Sequence, residues 1–158
     1  AFLREHTGHD FPVLSHLRHA RAIRAIATMI RDNCAGDDSR LGLATKHRAG
    51  LVYAGLVRDD RLAAETRSLA ASAGATDLDE IARFAAEDTD FDDVRAVGRA
   101  ASAHGPALLL AKAAASSPAR ITPAVLEQER DLAPAAIVEP VSWLSLLQLL
   151  HRLASFYG

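Results

Sequence analysis

Apolar residues recur along this chain at three- and four-residue steps, and nowhere do apolar and polar residues alternate with period two over a strand's length. The pattern predicts an all-α protein. Pro12 suits a first helical turn, and Val13, Leu17, Ala20, Ile23, Ile26, Ala27 and Ile30 continue one amphipathic helix to a stop within residues 33–36. Asp37, Asp38 or Ser39 then offers a cap for a second helix carrying Leu43, Ala44, Leu51, Val52, Gly55 and Leu56. A break at residues 58–60 supplies aspartates for the free N–H groups of a third helix, which runs through Leu62, Leu69 and Ala73 to Gly74. Thr76 or Asp77 caps a short helix around Ile81 and Phe84, and Thr89 or Asp90 caps another through Phe91, Val94, Val97 and Ala101. His104, Gly105 and Pro106 punctuate the chain before an apolar helix from Ala107 to about Ala115, closed by Ser116, Ser117 and Pro118. Thr122 and Pro123 start a helix to about Arg130, and Pro134 starts the last one, kinked at Pro140 and ending near Tyr157. The expectation is one helical domain over residues 1–158, of about six to eight helices, with residues 1–11 as a mobile leader.

Composition narrows the function classes. A chain of 158 residues, 49% hydrophobic, can close one core unaided. A net charge of −2 gives no overall attraction to nucleic acid or anionic lipid, so neither is an expected partner. The longest apolar run, residues 141–150, falls short of the roughly 20 residues that span a bilayer. No basic segment followed by an apolar stretch marks a secretory signal, which makes a cytoplasmic location the expectation. The single cysteine, Cys34, excludes an intrachain disulfide and every CxxC site.

The stretch from Ile121 to Glu139, followed by Trp143 to Gly158, resembles the end of alkylhydroperoxidase D (AhpD) and carboxymuconolactone decarboxylase family proteins. In that family a short "T-x-A-x-V-x-x-L" helix precedes "L-S-D-x-E-I-V-E" and a long helix ending "N-x-L-N-R-L-A". Here Gln148 and His151 stand at the two asparagine positions and Arg152 at the arginine. The segment from Leu17 to Ala25 is similar to the family's "A-x-H-P-x-x-L-x-A" entry helix. The resemblance implies an AhpD-like helical fold, no bound cofactor, and assembly as a dimer, trimer or hexamer.

It also implies an active site: a glutamate, a C-x-x-C twelve residues on, a histidine four after the second cysteine and a glycine eight further. Laid on residues 48–57 without gaps, the frame puts Gly74 at the glycine, His47 at the glutamate, Asp59 and Leu62 at the cysteines, and Thr66 at the histidine. The family's chemistry needs a thiolate to attack peroxide and a second thiol to resolve the sulfenic acid. Neither aspartate nor leucine does this, so thiol peroxidase activity is not expected. Loss of the histidine also argues against the decarboxylase's acid–base step.

Other residue groups are weighed by their chemistry. His47, Asp59 and Glu65 are the acid–base candidates, and Tyr53, Thr66 and His151 the walls of a small-ligand pocket. Against them stands the plainer reading of a solvated histidine and a helix cap. His16 and His19, in a group with His6 and His9, are weak metal-ligand candidates. Cys34, flanked by Asp32, Asp37 and Asp38, is a poor nucleophile. Three functions follow: a divergent AhpD-like scaffold with a small-ligand pocket, an enzyme of the lyase or hydrolase type using His47 with Asp59 or Glu65, or a helical interaction module linked to metal through the N-terminal histidines.

Overall fold

The structure, a computed structural model, describes residues 2–35 and 39–157, except for the side chains of His16 and Tyr157. In chain order the helices are α1 (Phe2–Thr7), a 3-10 turn (Pro12–His16), α2 (Ala20–Cys34), α3 (Leu43–Val57), α4 (Asp60–Ser72) and α5 (Leu78–Ala86). After these come α6 (Val94–His104), α7 (Pro106–Ala115), α8 (Pro123–Gln128) and α9 (Pro134–Tyr157). The all-α class is as the periodicity predicts, with nine α-helices and no strand among the described residues.

Two helices are buried on nearly every side, which is what a run without a polar face requires. In α3 every residue from Lys46 to Ala54 except Arg48 is buried, and in α7 every residue from Ala107 to Ala113. α3 packs against α4, α5, α7 and α9, so it is the axis of the molecule. The main core gathers Ile26 and Ile30 of α2, Ala49 and Tyr53 of α3, Leu62 and Leu69 of α4, and Trp143, Leu146, Leu147 and Leu150 of α9. Those four α9 residues are all at most 2% exposed. The exposed apolar residues of α9 are instead Val138, Val141, Leu149 and Phe156. Among the described residues no helix is long and apolar enough to cross a membrane.

Several boundaries differ from expectation, each for a local reason. The expected helix from Pro12 to Ile30 is broken: Leu17 is extended (φ −77°, ψ 131°), and His19 becomes the N-cap of α2, its Nδ1 accepting from the Ala22 N–H. The break lets Phe11 and Leu14 enter the core. The expected mobile leader contains α1, because Leu3 is also drawn into that core. Asp93, rather than Thr89 or Asp90, caps α6 by accepting the Arg95 N–H. Thr89 is occupied by the Lys112 amine and Asp90 by the Asp92 N–H. Asp37 and Asp38 lie outside the described residues, and Ser39 stabilises the approach to α3 by accepting the Gly42 N–H. Asp77 stands at the start of α5, but its carboxylate faces Arg48 at 2.7 Å instead of capping.

Candidate acid–base site at the α3–α4 turn

The turn between α3 and α4 is made by one unusual residue and one ordinary cap. Arg58 adopts the left-handed conformation (φ 54°, ψ 41°), the only non-glycine residue with positive φ among those described. That conformation disfavours an L side chain, and it reverses the chain sharply enough to set Asp59 directly at the start of α4. Asp59 Oδ1 accepts the N–H groups of Arg61 and Leu62 at 3.1 and 3.0 Å. Its other oxygen, Oδ2, is then free for a tertiary contact, and His151 Nδ1, from the last turns of α9, lies 2.7 Å away.

Glu65 completes the group. It follows Leu62 by three residues and so shares a face of α4 with it. Asp59, Glu65 and His151 line one cleft of about 160 Å³, whose other walls include Pro12, Val13, Leu62 and Leu150, with Arg61 beside them. Its volume is below the roughly 300–1,000 Å³ of sites for drug-sized ligands, so it suits only a small molecule.

The two carboxyls of the cleft are driven apart electrostatically. Burial pushes Glu65 up to about 7, and the Asp59 charge adds to the rise. Burial also acts to raise Asp59, but hydrogen bonds from His151, Leu62 and Arg61 outweigh it and hold Asp59 below the usual carboxylate range. Two carboxyls pushed in opposite directions beside an oriented imidazole are the arrangement that assigns acid and base roles in proton-transfer sites. With Nδ1–H donated to Asp59, a neutral His151 carries its lone pair on Nε2, which has no hydrogen-bond partner among the described residues.

The other expected site residues are distributed differently. His47 is only 2% exposed and sits edge-on to Trp143, ring centroids 5.4 Å apart. It does not line the cleft and makes no hydrogen bond or ion pair with Asp59 or Glu65, so the pairing of His47 with either carboxylate is not formed. The reason is helical geometry: ten residues of α3 separate His47 from Val57, about 15 Å of rise. Burial, then the charges of Lys46 and His9, push His47 down to about 4. Thr66 is fully buried and donates to the Leu62 and Ala63 carbonyls, so it walls no cavity. Tyr53 and His151 do share a cavity, of about 400 Å³, with Gln148 and Arg152. His151 thus borders both hollows.

Compared with family models, with curated proteins and with solved structures, the chain matches none.

The N-terminal histidines are not assembled. His6 bonds the Phe2 carbonyl, His9 lies 3.4 Å from Ser68 and Ser72, and His19 caps α2, while the His16 side chain is outside the described set. Among the described residues no three His, Cys, Asp or Glu side chains are placed to hold a metal ion. Cys34 is half-buried, and burial pushes its thiol up to about 11 against the opposing charge of Lys46. A thiol so raised supplies little thiolate at neutral pH. The Asp59–His151 contact, across 92 positions of sequence, had no local signal.

Proposed function

We propose that the chain is a divergent AhpD-like protein in which the turn that carries the family's cysteine pair carries an acid–base set instead. Asp59 orients His151, His151 Nε2 is the base, and Glu65, poised near 7, is the acid. The observation that carries this reading is the 2.7 Å contact of His151 Nδ1 with Asp59 in a cleft that also holds Glu65. The reaction class it supports is proton transfer of the lyase or hydrolase type on a small substrate with an apolar body, with Arg61 beside the cleft to receive an anionic group. The placement of Asp59 and Leu62 at the first turn of α4, after a buried helix, supports the family reading. Thiol peroxidase chemistry has no resolving partner for Cys34. The exposed Val138, Val141 and Leu149 on α9 support self-association, for which light scattering is the test.

The variants separate catalysis from folding. Asn caps a helix about as well as Asp, so Asp59→Asn keeps the α4 cap but cannot hold His151 in the same tautomer. Small lactones, esters and carbonyl acids incubated in D2O and followed by proton NMR are expected to show hydrolysis or exchange next to a carbonyl for at least one compound. His151→Gln should abolish it, and Asp59→Asn should lower it by about 10² or more. Turnover that survives His151→Gln, or a protein inert toward the whole panel, overturns the reading.

A further inference from the structure

The chain has 18 basic residues, of which only two, Lys46 and Lys112, are lysines. Every exposed cation is therefore an arginine, and both lysines are buried, at 4% and 2% exposure. Lys112 has a structural task. Its amine donates to the carbonyls of Phe84 and Glu87 and to the Thr89 hydroxyl, and it lies over the Phe84 ring, so it closes the C-terminal end of α5. Lys46 has no such partners. Among the described residues no acceptor lies within hydrogen-bond or ion-pair reach of its Nζ, and yet that atom is not sealed in the core.

Lys46 instead lines a cavity of about 450 Å³ together with Asp32 and Asn33 from the end of α2, Ser39, and Glu139 and Ser142 of α9. The obvious counter-ion, Glu139, is engaged elsewhere: it accepts from the Ser39 hydroxyl at 2.7 Å and from the N–H groups of Arg40 and Leu41. Burying an unpaired amine costs free energy, and arginine, used everywhere else in the chain, has no accessible neutral form. Lysine, unlike arginine, can present a free amine lone pair at such a place.

We propose that Lys46 is an amine nucleophile that condenses with the carbonyl group of a small, neutral, hydroxyl-bearing aldehyde or ketone held in this cavity. In the step, the Nζ lone pair attacks the carbonyl carbon and the oxygen is protonated to give a carbinolamine. Loss of that hydroxyl as water, with the second nitrogen proton released, leaves a carbon–nitrogen double bond, and no oxidant or reductant takes part. The Ser142 hydroxyl and the Asn33 side-chain oxygen suit a hydroxylated ligand, while Asp32 and Glu139 disfavour an anionic one. Burial acts to lower the Lys46 amine, and although the Glu139 charge opposes it, the net direction is down, toward the reactive neutral form. This site is separate from the Asp59–His151 cleft, so either reading can fail without the other.

The test uses the full chain, glycolaldehyde and sodium cyanoborohydride at pH 7, with peptide mass mapping of the trapped secondary amine. Lys112 and the amino terminus are internal references. Lys46 should be alkylated at least about tenfold faster than Lys112. Lys46→Met should lose that adduct and leave the rate at the amino terminus unchanged. Glyoxylate, an anionic aldehyde, should show a smaller ratio of Lys46 to amino-terminal labelling than glycolaldehyde. An unmodified Lys46, or one that reacts no faster than Lys112, overturns the proposal, and this comparison within one unmodified protein does not depend on the variant folding. A ratio for glyoxylate equal to that for glycolaldehyde overturns the assignment to neutral ligands.

Discussion

Glu129 is buried to 4% exposure at the end of α8, and neither of its carboxylate oxygens has a hydrogen-bond partner. A charge in that position lacks the compensation that buried ions require, and burial accordingly pushes its carboxyl up to about 7. Because the folded value lies above the unfolded one, the group opposes folding once pH rises past its unfolded value, with the full cost present above about 7. Glu129→Gln removes the ionisation and is expected to raise stability at pH 8 by on the order of 1–3 kcal/mol, with little change at pH 4.5. Urea unfolding at the two pH values checks this, and an equal effect at both would mean that ionisation is not the cause. At this scale the sequence was informative about chemical type and poor on partners. Asp59 was legible as a helix cap because capping is local, and the structure shows it doing that. Its contact with His151, the burial of His47 and the isolation of Lys46 depend on which helices pack together, and local spacing carries none of that.

Helices were legible where a cap or a stop is chemically distinctive. Thr122 with Pro123, Gly105 with Pro106 and the positive-φ Gly74 fall where the pattern placed them. The failures occurred where tertiary burial overrode periodicity, as at Leu17, where the chain breaks its helix so that Phe11 and Leu14 become buried. Two helical glycines show how packing reverses a propensity. Gly50 lies in the middle of α3, where alanine alone would be favoured by about 1 kcal/mol. A Cβ there would stand 2.5 Å from Trp143 Nε1 and 3.0 Å from Leu147 Cδ1, both on buried side chains of α9. Overpacking of that kind costs about 1–3 kcal/mol, so Gly50→Ala should be net destabilising. Gly98 in α6 is the opposite case, since a Cβ there meets nothing within 4 Å. Gly98→Ala should stabilise by about 0.5–1 kcal/mol. Thermal unfolding of the two variants should shift in opposite directions, and a stabilised Gly50→Ala would show that α3 and α9 are less closely packed than the structure has them.

For the molecule as a whole, the buried Glu129 and His47 and the partly exposed Glu65 set the dependence of stability on pH near neutrality. Glu65 and Glu129 are both pushed up to about 7 from 4.5, so between those values the folded protein binds protons that the unfolded chain has released. Stability contributed this way increases as pH falls toward 4.5. His47 acts in the other direction, because it is pushed down to about 4 from 6.5 and the unfolded chain takes up its proton first. Two groups favour mild acid and one opposes it, which leaves at most about one net proton bound on folding between pH 5 and 6.5. Glu65 is partly exposed, so its share is discounted for solvent screening, and the expected gain from pH 7.5 to 5 is about 1–2 kcal/mol. Below about 4.5 the sign changes. The glutamates are then protonated in both states, His47 still opposes folding, and Asp59 and Glu139, both held below the usual range by hydrogen bonds that outweigh their burial, lose those bonds as they protonate. The urea midpoint is therefore expected to peak near pH 5 and to fall on both sides. A midpoint that declines steadily from pH 7.5 to 5 would mean that His47 outweighs both glutamates, and Glu129→Gln measured over the same range would identify which carboxyl has been misassigned.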